Sequence, residues 1–156
     1  MAVSSVGSIC QRVEGMRKGR MSPPQRVLIV DSESHTPLLL RRTLATIGDD
    51  LDISLVLTCR QAEQKVKHIF FDVIVAEMQM PDMSGLELAC LVRYLSPQTR
   101  FILMTDHYSP LIDRAVRELR IADCLVRPFS YYKLRETVHQ ALQDVAAEKR
   151  RLGYQG

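Results

Sequence analysis

The chain has 156 residues, of which 46% are hydrophobic and 25% are charged, a balance that suits one domain with a proper core. No stretch approaches the roughly 18 apolar residues that a membrane-spanning helix needs, and the start of the chain lacks the apolar region of a secretory signal. We therefore expect a cytoplasmic protein that makes no contact with a membrane.

The basic charge is concentrated at the start of the chain. Residues 1–25 contain four basic side chains and Glu14, whereas the remaining 17 basic and 17 acidic residues balance. Such a short basic segment gives little support for nucleic-acid binding. We expect residues 1–24 to form a disordered basic N-terminal tail, residues 25–147 to form the domain, and residues 148–156 to form a C-terminal tail.

The first elements follow directly after this basic segment. A continuous apolar run at residues 26–30 predicts a buried parallel strand. Thr36 followed by Pro37 is typical of a helix start, and this helix should end at Gly48. The apolar and β-branched residues 52–58 predict the second strand.

The middle of the chain continues this alternation. Apolar residues at helical spacing indicate a helix over residues 62–69, and residues 72–76 predict a third strand. Ser84 and Glu87 have the spacing of a capping box, which opens a third helix that Pro97 should stop.

The last elements are two strands and two helices. Residues 101–105 predict a strand, and Ser109 before Pro110 predicts the cap of the next helix. The stripe of that helix predicted to be buried consists of Leu111, Ala115, Val116 and Leu119. Residues 122–126 predict the fifth strand, and a final helix should run from about residue 130 to about residue 151.

Five strands that alternate with five helices predict an α/β fold with helices on both faces of a parallel sheet. Right-handed crossovers leave few topologies for such a chain. We expect the flavodoxin-like, doubly wound (βα)5 arrangement with strand order 2-1-3-4-5.

Polar side chains follow four of the predicted strands. In a doubly wound sheet, sites form beyond the carboxyl ends of the strands. The residues there include Asp31, Glu77, Thr105 and Arg127, which are two carboxylates, a hydroxyl and a cation. Together they could bind a divalent metal and a phosphate, or they could form a closed set of ion pairs.

Four segments carry a resemblance to a known family. The segments VLIVDSES, DVIVAEMQMPDMSGLEL, FILMT and CLVRPF resemble the signature segments of the response-regulator receiver domain, over roughly residues 25–145. The resemblance implies a role in two-component signal transduction or a phosphorelay. It also implies a pocket in which an acidic pair holds Mg²⁺ and an aspartate accepts a phosphoryl group from a histidine kinase. A hydroxyl, a lysine and an aromatic residue complete the family's pocket.

The acidic part of that pocket is only partly kept. By the resemblance, Asp31 is the first acid, Ser32 replaces the second, and Glu77 stands at the position of the phosphoacceptor aspartate. The backbone carbonyl of Gln79 could still help to hold a metal ion. A serine hydroxyl is a poor substitute for a carboxylate, so we expect at most weak Mg²⁺ binding and no other cofactor.

The other three positions also differ in part. Thr105 keeps the switch hydroxyl, Arg127 replaces the phosphate-pairing lysine, and Cys124 stands at the position of the aromatic switch. A guanidinium can engage a carboxylate through two hydrogen bonds. Arg127 therefore either forms an ion pair with Glu77, in place of the contact between phosphate and lysine, or points to solvent.

These substitutions favour a degenerate receiver, a pseudo-receiver, that is not an enzyme and acts by binding other proteins. Few residues follow the fold, so its effect should come from contacts with a histidine kinase or a downstream effector. A homodimer through the face of helix four, strand five and helix five is also expected from the resemblance, whereas direct nucleic-acid binding is not. The alternative is a phosphorylatable stand-alone response regulator that accepts phosphate from a histidine kinase at Asp31 or Glu77. A flavin protein or an independent enzyme is disfavoured, because the sequence has no glycine-rich phosphate loop and no nucleophile elbow.

Overall fold

The computed structural model describes residues 23–33 and 36–154, in which five strands alternate with five helices. The strands are β1 (Gln25–Val30), β2 (Leu51–Val56), β3 (Val73–Glu77), β4 (Arg100–Thr105) and β5 (Asp123–Val126). The helices are α1 (Thr36–Ala45), α2 (Cys59–Val66), α3 (Gly85–Leu95), α4 (Pro110–Glu118) and α5 (Tyr131–Arg151). The α/β alternation predicted from the sequence is therefore present.

All five strands form one parallel sheet in the order β2-β1-β3-β4-β5. This is the predicted flavodoxin-like topology, which is confirmed. Because the strands are parallel, their carboxyl ends meet at one edge of the sheet and their amino ends at the other.

The core lies on both faces of the sheet, because successive residues of a strand point to opposite sides. In β1, Leu28 and Val30 belong to the apolar cluster under α2, α3 and α4, and Val27 and Ile29 belong to the cluster under α1 and α5. Burial on both faces explains why the strands read as continuous apolar runs.

The predicted caps are present at α3 and α4. The Ser84 side chain accepts from the Glu87 amide while the Glu87 carboxylate accepts from the Ser84 amide, and Ser109 caps α4 ahead of Pro110.

The predicted buried stripe of α4 is wrong at its first residue. Leu111 is 78% exposed, whereas Ile112 is buried, because Ile112 and not Leu111 has the i, i+3, i+4, i+7 spacing of one helical face with Ala115, Val116 and Leu119.

The structure describes the predicted C-terminal boundary of the domain but little of the predicted N-terminal tail. Residues 1–22 of the predicted basic tail lie outside the described residues, as do residues 155–156. Helix α5 runs through the predicted boundary at residue 147 without interruption. Within the described ranges, none of the helices has both the length and the apolar character that crossing a membrane requires.

Candidate functional site

The carboxyl edge of the sheet brings together the polar residues that the sequence singled out. Asp31 follows β1, Glu77 ends β3, Thr105 ends β4 and Arg127 follows β5. Asp31, Glu77 and Thr105 are all buried. The Arg127 amide donates to the carbonyl of Thr105 at 2.9 Å, which continues the pairing of β4 with β5 up to the site.

Asp31 is an incompletely paired carboxylate. It is 0% exposed, and its Oδ1 accepts from the Glu33 amide at 3.0 Å. Its buried Oδ2 accepts no hydrogen bond from residues 23–33 or 36–154 and lies 3.6 Å from Nη2 of Arg127. Burial raises the pKa of Asp31, and the Glu33 amide and the charge of Arg127 offset this only in part.

Glu77 is hydrogen-bonded by Arg127. Nη1 of Arg127 donates to Oε2 of Glu77, so the predicted ion pair is present and Arg127 does not point to solvent. Burial raises the pKa of Glu77 and outweighs the hydrogen bond and positive charge of Arg127, which lower it. The ion pair of Glu77 and Arg127 is therefore buried in surroundings that disfavour the charged form of the Glu77 carboxyl.

Arg127 is the centre of the site. Besides Glu77 and Asp31, its guanidinium has Oδ1 of Asp106 at 3.6 Å, and it lies 5.9 Å from the centroid of the Phe129 ring. Burial lowers the pKa of Arg127, but the hydrogen bond and the charge of Glu77 outweigh it and leave the pKa raised. The peptide bond between Arg127 and Pro128 is cis.

Thr105 lies in the site, but its hydroxyl is directed into the loop after β4. Oγ1 donates to the His107 carbonyl at 3.0 Å and accepts from the His107 amide at 3.2 Å. Since a hydroxyl has one proton to donate, Thr105 cannot donate to Glu77 in this conformation.

The remaining predicted residues lie at the margin of the site. Ser32 and Gln79 are exposed. Cys124 is half-buried and packs against the cluster under α2, α3 and α4, and burial raises its pKa. Sequence reasoning gave no role to Asp106, although its place directly after a strand end was a usable signal.

The geometry around Arg127 does not fit a bound Mg²⁺ ion. Magnesium needs near-octahedral oxygen ligands, but the guanidinium lies among the carboxylates of Asp31, Glu77 and Asp106, where a cation would have to bind. Over residues 23–33 and 36–154, no group of three or more His, Cys, Asp or Glu side chains is placed to hold a metal ion. Arg127 would have to move before a metal ion could enter.

Gly85, the first residue of α3, and Asp82, in the loop that precedes it, fix the chain that follows Glu77. The Gly85 amide donates to the Met78 carbonyl at 2.7 Å, and a Cβ at Gly85 would collide with the Glu77 carbonyl oxygen. Asp82 accepts from the amides of Cys59 at 3.2 Å and Arg60 at 2.8 Å, which ties the loop to the start of α2. Burial raises the pKa of Asp82, but these backbone donors outweigh it and leave the pKa lowered.

Comparison with known proteins identifies the family. The response regulator receiver domain model matches residues 27–139. The regulatory protein LuxO of Vibrio vulnificus is 32% identical over 123 residues, which are 78% of this chain and 26% of that protein. The chain thus spans about a quarter of the length of this relative.

Solved structures agree in fold. The signal receiver domain of a LuxO repressor protein from Vibrio parahaemolyticus superposes with a TM-score of 0.75 at 24% identity, covering 81% of this chain and 95% of that one. The beryllofluoride-activated NtrC4 receiver domain dimer has a TM-score of 0.70 at 29% identity, covering 77% and 98%. Together with the match to the family model, these likenesses show that the chain belongs to the response regulator receiver domain family.

Proposed function

We propose that this receiver domain is a pseudo-receiver, which signals through protein contacts and does not take up a phosphoryl group. The observation that carries the proposal is the hydrogen bond between Arg127 and Glu77. It joins the residue at the phosphoacceptor position to the residue at the phosphate-pairing position, so each group is already engaged by the other.

Three physical obstacles stand against phosphoryl transfer at Glu77. Glutamate is one methylene longer than aspartate, and a misplacement of about 1 Å can cost about 100-fold in rate. Arg127 is the cation that would stabilise the incoming phosphoryl oxygens. Its guanidinium already pairs with the carboxylates of Asp31, Glu77 and Asp106. The site as it stands does not accommodate Mg²⁺, whose charge such transfer relies on.

The contacts of Thr105 support a single fixed state. Its hydroxyl is bonded within the loop at His107 and not to the Glu77 carboxylate. Glu77 therefore does not act on Thr105 as a phosphoryl group would in the family, and Cys124 supplies no ring that could change its rotamer. We assign the locked conformation to the unphosphorylated state.

Partners of the proposed adaptor are a histidine kinase or a downstream effector, in the cytoplasm. The face formed by α4, β5 and α5 presents exposed apolar side chains, namely Leu111, Val126, Tyr131 and Tyr132. This exposure fits a homodimer, the state in which the NtrC4 receiver domain was solved. A catalytic activity and direct binding to nucleic acid form no part of the proposal.

Amide NMR spectra recorded with Mg²⁺ and beryllofluoride, a phosphoryl analogue, test this function. The wild type should show no saturable shifts at residues 77, 105 and 127. The triple variant S32D/E77D/R127K restores the acidic pair, the aspartate and the lysine, and it should show them. The surface variant R114K, which changes an exposed arginine of α4, serves as the matched control and should behave as the wild type. Saturable shifts in the wild type would refute a closed pocket.

A further inference from the structure

A polar cavity lies at the amino edge of the sheet, opposite the Arg127 site. Its volume is about 140 Å³, several times the roughly 10–15 Å³ that one water molecule needs. Of the residues that the structure describes, four charged ones line this cavity, namely Arg93 of α3, Arg100 of β4, Arg120 and Glu148 of α5. The lining therefore carries an excess of positive charge.

One of these arginines already has a counter-charge. Nη2 of Arg100 donates to Oε2 of Glu148 at 2.8 Å, and both side chains are less than one-third exposed. The side chains of Arg93 and Arg120 form neither a hydrogen bond nor a salt bridge within residues 23–33 and 36–154. Two guanidinium groups with free N–H donors thus border the cavity, and an anion placed between them would relieve their repulsion.

Arg120 has a backbone conformation that arginine rarely adopts. Its φ is +51°, in the left-handed region. The Ile121 amide donates to the Val116 carbonyl at 2.9 Å and the Arg120 amide donates to the Arg117 carbonyl at 3.2 Å. These two bonds form a Schellman motif at the end of α4. Glycine is the favoured residue at this position of the motif, because a Cβ is strained there.

The end of α5 has the same motif with glycine. There Gly153 has a φ of +77°, and its amide and the Tyr154 amide donate to the carbonyls of Arg150 at 3.2 Å and Lys149 at 3.0 Å. The dipole of α4 does not explain a cation after its end, since Arg117 already lies in the last turn. The strained arginine stands where the motif borders the cavity, and strained backbone of this kind is concentrated at ligand sites.

The wall of the cavity between Arg93 and Arg100 is fixed by hydrogen bonds. The Thr99 amide donates to the Ser96 carbonyl at 3.0 Å, and the Thr99 hydroxyl donates to the Phe71 carbonyl at 2.7 Å. The connection from α3 to β4 is therefore ordered without a ligand. A ligand that enters the cavity has little backbone to immobilise, which favours binding.

We propose that this cavity binds a phosphate group, either as the free ion or on a small molecule. A guanidinium presents a planar fork of N–H donors that matches the oxygens of phosphate. Arg93 and Arg120 donate to the phosphate oxygens, while Arg100 remains paired with Glu148. The site lies at the edge opposite Glu77, so the inference does not depend on the proposed signalling state.

Amide NMR titrations of the full chain with inorganic phosphate and with glycerol 3-phosphate test the proposal. The ionic strength is held constant with sodium chloride. The amides at residues 93, 100 and 120 should shift saturably, and sodium chloride alone should not shift them in this way. Saturation by both probes supports a phosphate group on a small molecule, and saturation by inorganic phosphate alone supports the free ion.

Substitution of Arg120 by glycine separates a ligand site from a structural role. R120G should weaken phosphate binding at least about tenfold, because charge-assisted hydrogen bonds are lost. It should also raise the midpoint of thermal unfolding, because glycine relieves the left-handed strain. R93Q should weaken binding to a similar extent, and E148Q should strengthen it by releasing Arg100. The control R41Q, which removes an exposed arginine of α1, should keep the wild-type affinity.

Three results would overturn the proposal. The first is the absence of saturable shifts at residues 93, 100 and 120 with either probe. The second is wild-type affinity in both R120G and R93Q, since the phosphate would then bind elsewhere. The third is a lower midpoint of thermal unfolding in R120G, because the fold itself would then require the arginine. Thermal unfolding also verifies that R93Q, E148Q and R41Q stay folded.

Discussion

Oδ2 of Asp31 and Nη2 of Arg127 are buried 3.6 Å apart, and neither makes a hydrogen bond with any of the residues that the structure describes. Opposite charges at this distance attract each other, but a buried polar atom without a hydrogen bond lowers stability. The site therefore holds one well-made contact, Arg127 with Glu77, and one poorly made contact, Arg127 with Asp31. This difference allows the two carboxylates to be tested separately.

Replacing Asp31 by asparagine should raise the free energy of unfolding at neutral pH by about 1 kcal/mol. The neutral side chain keeps an oxygen for the Glu33 amide and removes a buried charge whose pKa is raised by burial. Urea denaturation measures the change. The exposed Asp52, which pairs with Arg26 at 3.7 Å, provides the control D52N, for which a change within about 0.5 kcal/mol is expected. A clear loss of stability in D31N would contradict the assigned cost of the Asp31 charge.

The advantage of D31N should depend on pH. The pKa of Asp31 is raised above its ordinary value of 3.8, so the folded protein retains a proton that the unfolded chain has already lost. Stability from this group is complete below pH 3.8 and is lost as the pH rises through the higher pKa of the folded state. The difference in free energy of unfolding between D31N and wild type should thus be near zero in acid and grow toward neutral pH. A difference that shrinks as the pH rises would show the opposite shift.

Removing the cation should lower the free energy of unfolding, whereas removing the Asp31 charge should raise it. In R127M the buried Glu77 and Asp31 lose their shared partner, and we expect a loss of about 2–4 kcal/mol. Adding E77Q should restore part of it, because an uncharged amide no longer needs the guanidinium. A double-mutant cycle of the four proteins by urea denaturation should give a coupling of at least about 1 kcal/mol. Additive effects would mean that the two side chains do not interact in solution.

Substitution of Gly85 by alanine should disturb the site through the backbone. The added Cβ collides with the Glu77 carbonyl oxygen, so we expect a destabilisation of about 1–3 kcal/mol and a shifted Glu77 amide resonance. Gly48 is the matched control, because nothing lies within 4 Å of a Cβ placed there. If G85A were as stable as G48A, the close approach of α3 to the end of β3 would be wrong.

The fold was predictable from the sequence, and so was the edge of the sheet at which Glu77 and Arg127 lie, although the sequence left open whether they form an ion pair. Continuous apolar strands define a parallel sheet, and a parallel sheet places the residues after its strands at one edge. Glu77 ends β3 and Arg127 follows β5, so both lie at this edge, where their opposite charges attract each other.

What could not be predicted depends on geometry finer than strand order. The Thr105 hydroxyl turns toward His107 because of the path of the loop after β4, which residue types alone do not specify. The position of Asp106 after a strand end was a usable signal, but the sequence does not show that its largely exposed side chain lies 3.6 Å from Nη1 of Arg127. In α4, by contrast, Ile112 and not Leu111 completes the i, i+3, i+4, i+7 spacing with Ala115, Val116 and Leu119, so the buried residue could have been predicted.

Phosphoryl uptake from acetyl phosphate in the presence of Mg²⁺, read by intact mass, tests the central claim most directly. The wild type should gain no phosphoryl group, and S32D/E77D/R127K should gain one. A wild-type protein that gains a phosphoryl group readily, requires Mg²⁺ to do so and loses the gain in E77Q would contradict a pocket closed by Glu77 and Arg127.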